Sequence, residues 1–532
     1  MSQFMIMALI LKFSILSGVL TAISEGSNIA ISGGPGLGSH FFVAASLGEE
    51  LVRRGHNVTA ILGGDAIATS HDDRYSELFH FAITNRRFSE EELRERVDVV
   101  ARAAVSGNFL GELNKHLATM QYEMYKDCDA LLLDEDFIQS LVDAKFDLLI
   151  VDPYFGCTNL LPVILNEPVI FMIPTHLEDF LARAFGSPID TALHPYFGSG
   201  FPRRMTFWQR FRNFIQPSFV GLTFRGVQQY CSSRNIPPSS CSESEVFGRA
   251  ELFLVNMDFA VEFPFPIAPN VIPVGGITTR PSKKLDVNLE EFVQSSGEDG
   301  IIIFTMGSYA TYMKEELIKE FITAFSRLPQ KVVWKMTRDL PKEADQSKIK
   351  TMPWLPQNDL LAHNKTKLII YQGGHNGFYE VVDHGVPSVV IPLLMDQFDV
   401  ASRTVHHGMG IELDYPTLNA NIIVEAVRTV LGNNSYTKNA ERISSIYRHR
   451  TMRPVEKAAF WVEHVIQHGG TPLKSAIGEL SWYEYHQIDV LLSLFSIIII
   501  ILVIVFFTLR LGLRLICNVF QRNRGTKDDK LD

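Results

Sequence analysis

The amino-acid sequence predicts an α/β protein: two parallel-sheet domains facing a cleft, plus one C-terminal transmembrane helix. Three observations lead there. Short apolar strands alternate with amphipathic helices twice along the chain, a Pro- and Gly-rich stretch separates the two series, and an uncharged apolar run lies near the end. At 532 residues the chain exceeds one ordinary domain. Hydrophobic residues at 46% and charged residues at 20% describe a globular protein with a large core. A net charge of −10 excludes a nucleic-acid partner, whose binding needs a basic face.

Phe4 to Ile23 carries a single charge, Lys12, and exits through the small residues Thr21, Ala22 and Ser24. Residues 1–24 therefore read as a signal peptide, with an uncleaved anchor as the alternative. Residues 25–275 form the first domain. Asn28–Ser32 is a strand ending in a glycine-rich loop, and the next helix places Val43, Ala44, Leu47 and Leu51 on one face before Gly55 stops it. Val58–Leu62, Asp147–Asp152 and Val169–Ile173 are further strands, with helices over Glu91–Val105 and Gly111–Asp127. Residues 276–299, inside the Pro- and Gly-rich stretch, read as a linker.

Residues 300–475 restart the alternation with strands at Gly300–Thr305, Lys331–Trp334, Lys367–Tyr371 and Ser388–Ile391, and a helical stripe of Val455, Ala459, Val462 and Ile466 near the end. Such alternation gives parallel sheets covered on both faces, here two Rossmann-like domains. Ligands in these sheets bind beyond the carboxyl ends of the strands.

Residues 476–489 form a juxtamembrane segment, residues 490–509 the span, and residues 510–532 a short tail. Arg510, Arg514, Arg522, Arg524, Lys527 and Lys530 follow the span, whereas Glu479, Glu484 and Asp489 precede it. Positive charge stays cytosolic, so the tail is cytosolic and both domains are lumenal, a single-pass type I arrangement. Of Cys128, Cys157, Cys231, Cys241 and Cys517, the pair Cys231 and Cys241 could close a short loop, but an odd, scattered set fixes no framework. No CxxC or clustered His/Cys set suggests zinc. Asn57, Asn364 and Asn433 open glycosylation sequons.

The most informative segment runs from Trp354 to Gln397. A strand ends at Tyr371 and gives way to Gly373-Gly374, where backbone can approach a ligand closely; Asn376 to Glu380 then begins a helix. That N-terminus offers free N–H groups and partial positive charge to a diphosphate. Glu380 can accept from ribose hydroxyls, and Trp354 can stack a base. Singly these features are weak: a glycine pair is usually a turn, and a lone Trp is usually core.

Their joint spacing closely resembles the signature of the UDP-glycosyltransferase family. Phe460-Trp-Val-Glu-His and Ser481-Trp-Tyr-Glu-Tyr-His-Gln-Ile-Asp, leading into the span, are similar to the ends of animal UDP-glucuronosyltransferases. The resemblance implies the GT-B fold, a UDP-sugar donor, a small lipophilic acceptor, residence in the endoplasmic reticulum membrane, and no metal or other cofactor. It implies that Trp354 stacks on uracil, that Gln357 and Glu380 hold the ribose, and that Ser308, Gln372, Gly374, Asn376 and Gly377 lie at the diphosphate. Asp396 and Gln397 would bind the transferred sugar.

In the first domain, Gly33-Gly-Pro-Gly-Leu-Gly-Ser-His40 competes with a dinucleotide fingerprint, but Ser39 occupies the third glycine position. The family resemblance instead makes His40 the base that deprotonates the acceptor and Asp152 the carboxylate behind it. Imidazole suits that step near neutral pH, and direct attack inverts the anomeric centre. Phe197, Phe201, Phe207, Trp208, Phe211, Phe214 and Phe219, interleaved with Arg203, Arg204, Arg210 and Arg212, fit an acceptor wall, a membrane-facing surface or plain core. One departure stands out. Family members usually carry His at the position of Gln372, often after Thr where this chain has Tyr371. This admits a second function class: a catalytically weak paralogue that binds UDP-sugars or lipophiles, or a partner in hetero-oligomers.

Overall fold

The computed structural model describes residues 26–32, 38–64, 72–89, 91–92, 99, 102–103, 105–106, 109–188, 190–216, 219–307, 313–336, 340–341, 344–475 and 480–528. The signal-peptide reading, the glycine loop at 33–37, most of the helix expected over Glu91–Val105, and Ser308 lie outside these described residues. The chain divides into a body, Met1–Ser475, and a C-terminal segment, Ala476–Asp532.

The body holds two wholly parallel sheets. The first comprises β1 (Asn28–Ser32), β2 (Asn57–Leu62), β3 (His80–Ile83), β4 (Leu148–Val151), β5 (Val169–Ile173), β6 (Ala250–Val255) and β7 (Val271–Pro273), in the order β3-β2-β1-β4-β5-β6-β7. The second comprises β8 (Ile301–Thr305), β9 (Lys331–Lys335), β10 (Ile349–Met352), β11 (Thr366–Tyr371), β12 (Ser388–Val390) and β13 (Gly410–Glu412), in the order β10-β9-β8-β11-β12-β13. Of the helices, α1 (Ser39–Arg53) follows β1, α2 (Phe207–Ile215) lies between β5 and β6, and α3 (Val287–Gln294) precedes β8. Then α4 (His375–His384) follows β11, α5 (Asp396–His406) follows β12, and α6 (Pro454–His468) comes near the end of the body.

Alternation along each strand feeds a core on both faces, as parallel sheets require. Ile29 and Ile31 of β1 share one core with Leu148 and Ile150 of β4, while Ala30 shares the other with Leu149 and Val151. In the second sheet Ile302 and Phe304 face one core, Ile301 and Ile303 the other. Strand order reverses between β1 and β4, and again between β8 and β11. A crevice opens at such switch points, because the chain leaves the two adjacent strands toward opposite faces.

Three expectations need correction. The stretch 276–299 is not only linker: α3 forms within it, capped by Asp286, whose carboxylate accepts from Leu289 N at 3.0 Å, and it buries Leu289 and Val293 in the second domain's core. The stripe of Val455, Ala459 and Val462 does not pack in the domain it follows. Helix α6 returns to the first sheet, where those residues join Ile29, Ile31 and Leu47 in one core. Its outer edge is tied there by Arg54 Nη1 donating to Glu463 Oε2 at 2.7 Å and Lys457 Nζ to Pro273 O at 2.9 Å. Plain core packing fails for the aromatic–arginine stretch, since Phe207, Trp208, Phe211 and Phe214 are exposed.

Disulfides join Cys128 to Cys157 and Cys231 to Cys241, leaving Cys517 free. Asn57, Asn364 and Asn433 are all exposed. In the C-terminal segment, α7 (Ile488–Asp528) contains one stretch, Ile488–Val519, long and apolar enough to cross a membrane, and the helix continues as far as Asp528, past Arg522, Arg524 and Lys527 of the expected tail, whereas Lys530 lies outside the described residues.

Val462→Asp places an unpaired charge in a fully buried position and should cost several kcal/mol. Phe460→Asp, at a position 44% exposed on the same helix, should be nearly neutral. Thermal unfolding of both variants checks that α6 belongs to the first domain's core; equal melting temperatures would contradict it.

Candidate active site

The first half of the site grows from the switch point of the first sheet. Ser32 pairs with Val151, and Asp152 N–H donates to Ser32 O at 3.0 Å, so the residue after β4 is fixed beside the end of β1. Helix α1 begins just beyond, after Gly38 at φ 94°, a backbone conformation that favours glycine. His40 in its first turn places Nδ1 2.7 Å from Asp152 Oδ2, while Asp152 Oδ1 accepts from Tyr154 N at 2.9 Å. Both carboxylate oxygens are thereby oriented. Asp152 is 4% exposed and His40 26%, so the pair is sheltered but reachable.

Burial works to lower the His40 pKa, but the charge and hydrogen bond of Asp152, with help from Asp396, raise it above the ordinary 6.5. Tyr154 and Phe155 set their rings edge-on to the imidazole at 5.6 and 5.1 Å, and Phe197 lies 6.1 Å from Tyr154. A base oriented by a carboxylate and walled by aromatic rings is equipped to take a proton from an apolar molecule's hydroxyl.

The second half grows from the corresponding switch point, between β8 and β11. Gly307 (φ 64°) follows β8 and Gly373 (φ 83°) follows β11. The Gln372 amide lies against Gly307 and Gly374; a Cβ on Gly374 would sit 2.8 Å from its Nε2. Helix α4 starts at His375 without a side-chain cap, so its first-turn N–H groups present their partial charge at the loop. Gly377 admits the Gln357 amide, which would stand 3.0 Å from a Cβ there, and Gln357 Nε2 donates to Glu380 Oε2 at 2.6 Å. Burial pushes the Glu380 carboxyl up to about 7, against the opposing effect of Gln357.

Trp354 is 63% exposed, with Lys335 Nζ 4.6 Å over its ring and Phe42 of α1 edge-on at 6.2 Å. A large indole left open in this position is available for stacking. Asn376 reaches across the cleft: its Nδ2 donates to Ser39 O at 3.2 Å, and its Oδ1 accepts from Asn256 Nδ2 at 3.2 Å. Asp396, whose carboxyl burial lifts to about 6, feels the His40 charge from the opposite domain. Gln397 behaves differently from its neighbour. Its Oε1 accepts from Leu393 N at 2.9 Å and Leu394 N at 3.3 Å, committing that oxygen to its own loop. Among the described residues, no group of three or more His, Cys, Asp or Glu is arranged to hold a metal.

A protein-family model described as UDP-glucoronosyl and UDP-glucosyl transferase matches residues 34–523. The chain belongs to that family. UDP-glucuronosyltransferase 1A6 of Mus musculus is 33% identical over 483 residues, covering 88% of this chain and 88% of its own. UDP-glucuronosyltransferase 2B33 of Macaca mulatta is 31% identical over 467 residues, covering 85% and 87%. The fold likeness reaches further: the solved glycotransferase of kitacinnamycin superposes with a TM-score of 0.56 at 15% identity, over 83% of this chain and 99% of that one. This chain is thus a family member with two parallel-sheet α/β domains of the GT-B kind.

The structure also shows family-member residues that pattern reading missed, in a buried polar seam between the domains. Asp399 of α5 accepts from Gly198 N at 2.6 Å and Gly200 N at 2.9 Å, and lies 3.3 Å from His176 Nε2. Burial opposes its ionisation, but His176, Arg403 and the Gly198 N–H hold its pKa below the ordinary value. Arg403 Nε lies 2.5 Å from Glu262 Oε2. One signal was available: Asp399 and Arg403 follow Asp396 at spacings that keep charged side chains together on a helix.

Glu380 gives a stability prediction with a definite sign. Its folded pKa, about 7, lies above the ordinary 4.5, so the folded state holds the proton more tightly. That stabilisation is complete below pH about 4.5 and is lost as pH rises through about 7. Glu380→Gln keeps a neutral group, so the ligand-free variant should gain melting temperature relative to the parent at pH 8 more than at pH 5. A constant difference across that range would show that Glu380 does not titrate there.

Proposed function

We propose that this family member is an inverting UDP-glycosyltransferase that moves glucuronic acid or glucose from a UDP-sugar to a small lipophilic acceptor. The observation that carries the reading is the His40–Asp152 pair, 2.7 Å apart at one switch point, with the helix and glycines of the other switch point set across the cleft. In the proposed step the acceptor hydroxyl gives its proton to His40 Nε2 as its oxygen bonds to the sugar's anomeric carbon. The bond from that carbon to the UDP oxygen breaks from the opposite side, which inverts the centre. Asp152 stabilises the imidazolium that forms.

Negative charge growing on UDP is met by the first-turn N–H groups of α4 together with Gln372, Gly374, Asn376, Gly377 and Ser308. Trp354 stacks the uracil, and Gln357 and Glu380 take the ribose. Asp396 and the amide end of Gln397 address the sugar. This scheme calls on no metal and no cofactor beyond the co-substrate. The aromatic walls of Tyr154, Phe155 and Phe197 favour an apolar acceptor. The signal-like N-terminus, the basic flank after Leu509 and the exposed sequons support a type I protein of the endoplasmic reticulum with its body in the lumen.

Gln372 favours keeping a second reading, a catalytically weak member that serves by binding. Glutamine can donate to a phosphate oxygen but cannot become cationic, so the stronger charge-assisted bond is missing. On the transferase reading Gln372→His raises turnover about tenfold or less and Gln372→Ala lowers it, the scale set by roughly 1 kcal/mol. Steady-state transfer to a panel of phenols at saturating donor distinguishes the readings; absence of product with parent and Gln372→His alike supports the binding protein.

His40→Ala should lower turnover roughly 10²–10⁴-fold, the usual share of a positioned base, with UDP affinity unchanged. Because the His40 pKa is raised, the neutral base form, and with it kcat/KM, should increase as pH rises through that raised value. Asp152→Asn removes the largest raising influence, so the acid limb should move to lower pH while the maximum rate falls. An unmoved limb would mean that another group is titrating.

A further inference from the structure

Residues 190–206, which lead into α2, contain neither helix nor strand, yet they carry one wall of the site. Phe197 stacks on His176 at 5.2 Å and stands 6.1 Å from Tyr154, whose ring is in turn edge-on to His40. What holds Phe197 comes from both domains. On one side Tyr196 N–H donates to Asn213 Oδ1 at 2.6 Å, a buried amide of α2 in the first domain. On the other, Gly198 N–H donates to Asp399 Oδ2 at 2.6 Å and Gly200 N–H to Asp399 Oδ1 at 2.9 Å, on α5 of the second domain. Ser402, one turn further along α5, adds a bond from its hydroxyl to Phe201 O at 3.1 Å.

Two N–H groups aimed at one side chain need an acceptor with two oxygens, and the buried Asp399 carboxylate satisfies both. The close approach also requires glycine. Gly198 and Gly200 stand at φ 79° and 62°, and a Cβ on Gly200 would lie 3.2 Å from Phe398 Cβ. His176 completes the arrangement, its Nε2 3.3 Å from Asp399 Oδ2 and its face against Phe197. Asp399 lies one turn after Asp396 and Gln397 on the same helix, but both its oxygens are spent on the first domain. On the transferase reading, on which this rests, we propose that Asp399 is a positioning residue: its carboxylate seats the Phe197 loop. The wall beside His40 is then completed only by the helix that carries Asp396 and Gln397, and it is shaped for an acceptor with a flat apolar body.

Steady-state transfer by the full-length protein to 4-phenylphenol, with UDP-glucuronic acid and UDP-glucose as parallel donors, tests this. Asp399→Asn keeps the shape but sets an amide donor against one of the two N–H groups, so KM for the phenol should rise about tenfold or more. KM for the UDP-sugar should stay near the parent value, because the uracil, ribose and diphosphate positions assigned above lie outside α5. In the Phe197→Ala background Asp399→Asn should raise the phenol KM no further, whereas a residue that only stabilises the fold would have its effect in both backgrounds. Gly200→Ala, which pushes the loop off Phe398 without disturbing a buried charge, should reproduce the rise and serves where Asp399→Asn fails to fold. An unchanged phenol KM, or an equal rise with and without Phe197, overturns the proposal. Absence of product from the parent with either donor overturns the proposed reaction itself, and this role of Asp399 with it.

Discussion

The short hydrogen bond between His40 and Asp152 depends on strand register. Asp152 stands just past the end of β4 and His40 in the first turn of α1, the helix that follows β1, and β1 and β4 are the neighbours at which the sheet's order reverses. A shift of one residue in the pairing of Ser32 with Val151 would turn Asp152 to the other face of the sheet. Two buried cores, one on each face, resist that shift, because Ile29 and Ile31 would trade places with Ala30. The large apolar interior therefore serves the site by fixing one polar contact. Its return helix α6, packed on the same face as Ile29 and Ile31, adds to that fixation from far along the chain.

The two domains meet through polar groups as well as apolar ones. Glu262 with Arg403, and Asp399 with His176 and two glycine N–H groups, place charges where solvent is scarce. Buried ion pairs contribute little net stability, since desolvation offsets attraction, but removing one partner is costly. Such pairs define an orientation better than they strengthen it. Burial holds His194 and His375 nearby at a pKa of about 3, so these two add no competing positive charge near neutral pH. The second domain thereby keeps its angle to the first, and Asp396 stays within reach of the His40 charge.

The strands at the middle of both sheets were legible because they are continuous apolar runs: Asn28–Ser32, Asp147–Asp152, Gly300–Thr305 and Lys367–Tyr371 each match an observed strand to within a residue at either end. Edge strands were not. β7 is three residues long and ends in Pro273, and β13 is three residues with Gly410 leading, so neither carries a periodic signal. β10, Ile349–Met352, reads IKTM and buries one residue fully. The family motif spans two strand ends, with Trp354 and Gln357 after β10 and Gly374, Asn376, Gly377 and Glu380 after β11, and spacing along each strand–loop–helix unit is a local property. The return of α6 and the Asp399 seam are contacts between segments far apart in sequence. Periodicity states that Val462 is buried without stating against what. The outward aromatic stripe of α2 shows the same limit, since its spacing matches that of a helix facing a core.

Asn376 shows how the cleft bears on the proposed chemistry. Its Nδ2 is spent on Ser39 O, the residue preceding His40, and its Oδ1 on Asn256. On the proposed function the same Nδ2 donates to the diphosphate. One amide nitrogen has two hydrogens, so it can serve both acceptors only if a phosphate oxygen lies within reach while the bond to Ser39 persists. In that case the donor's phosphate and the start of α1 are held by one group, and donor binding positions the base as well as the sugar. The alternative geometry breaks the bond to Ser39 and frees the first turn of α1. The two arrangements differ in one contact at 3.2 Å, and on the proposed function that contact would couple the diphosphate to the base.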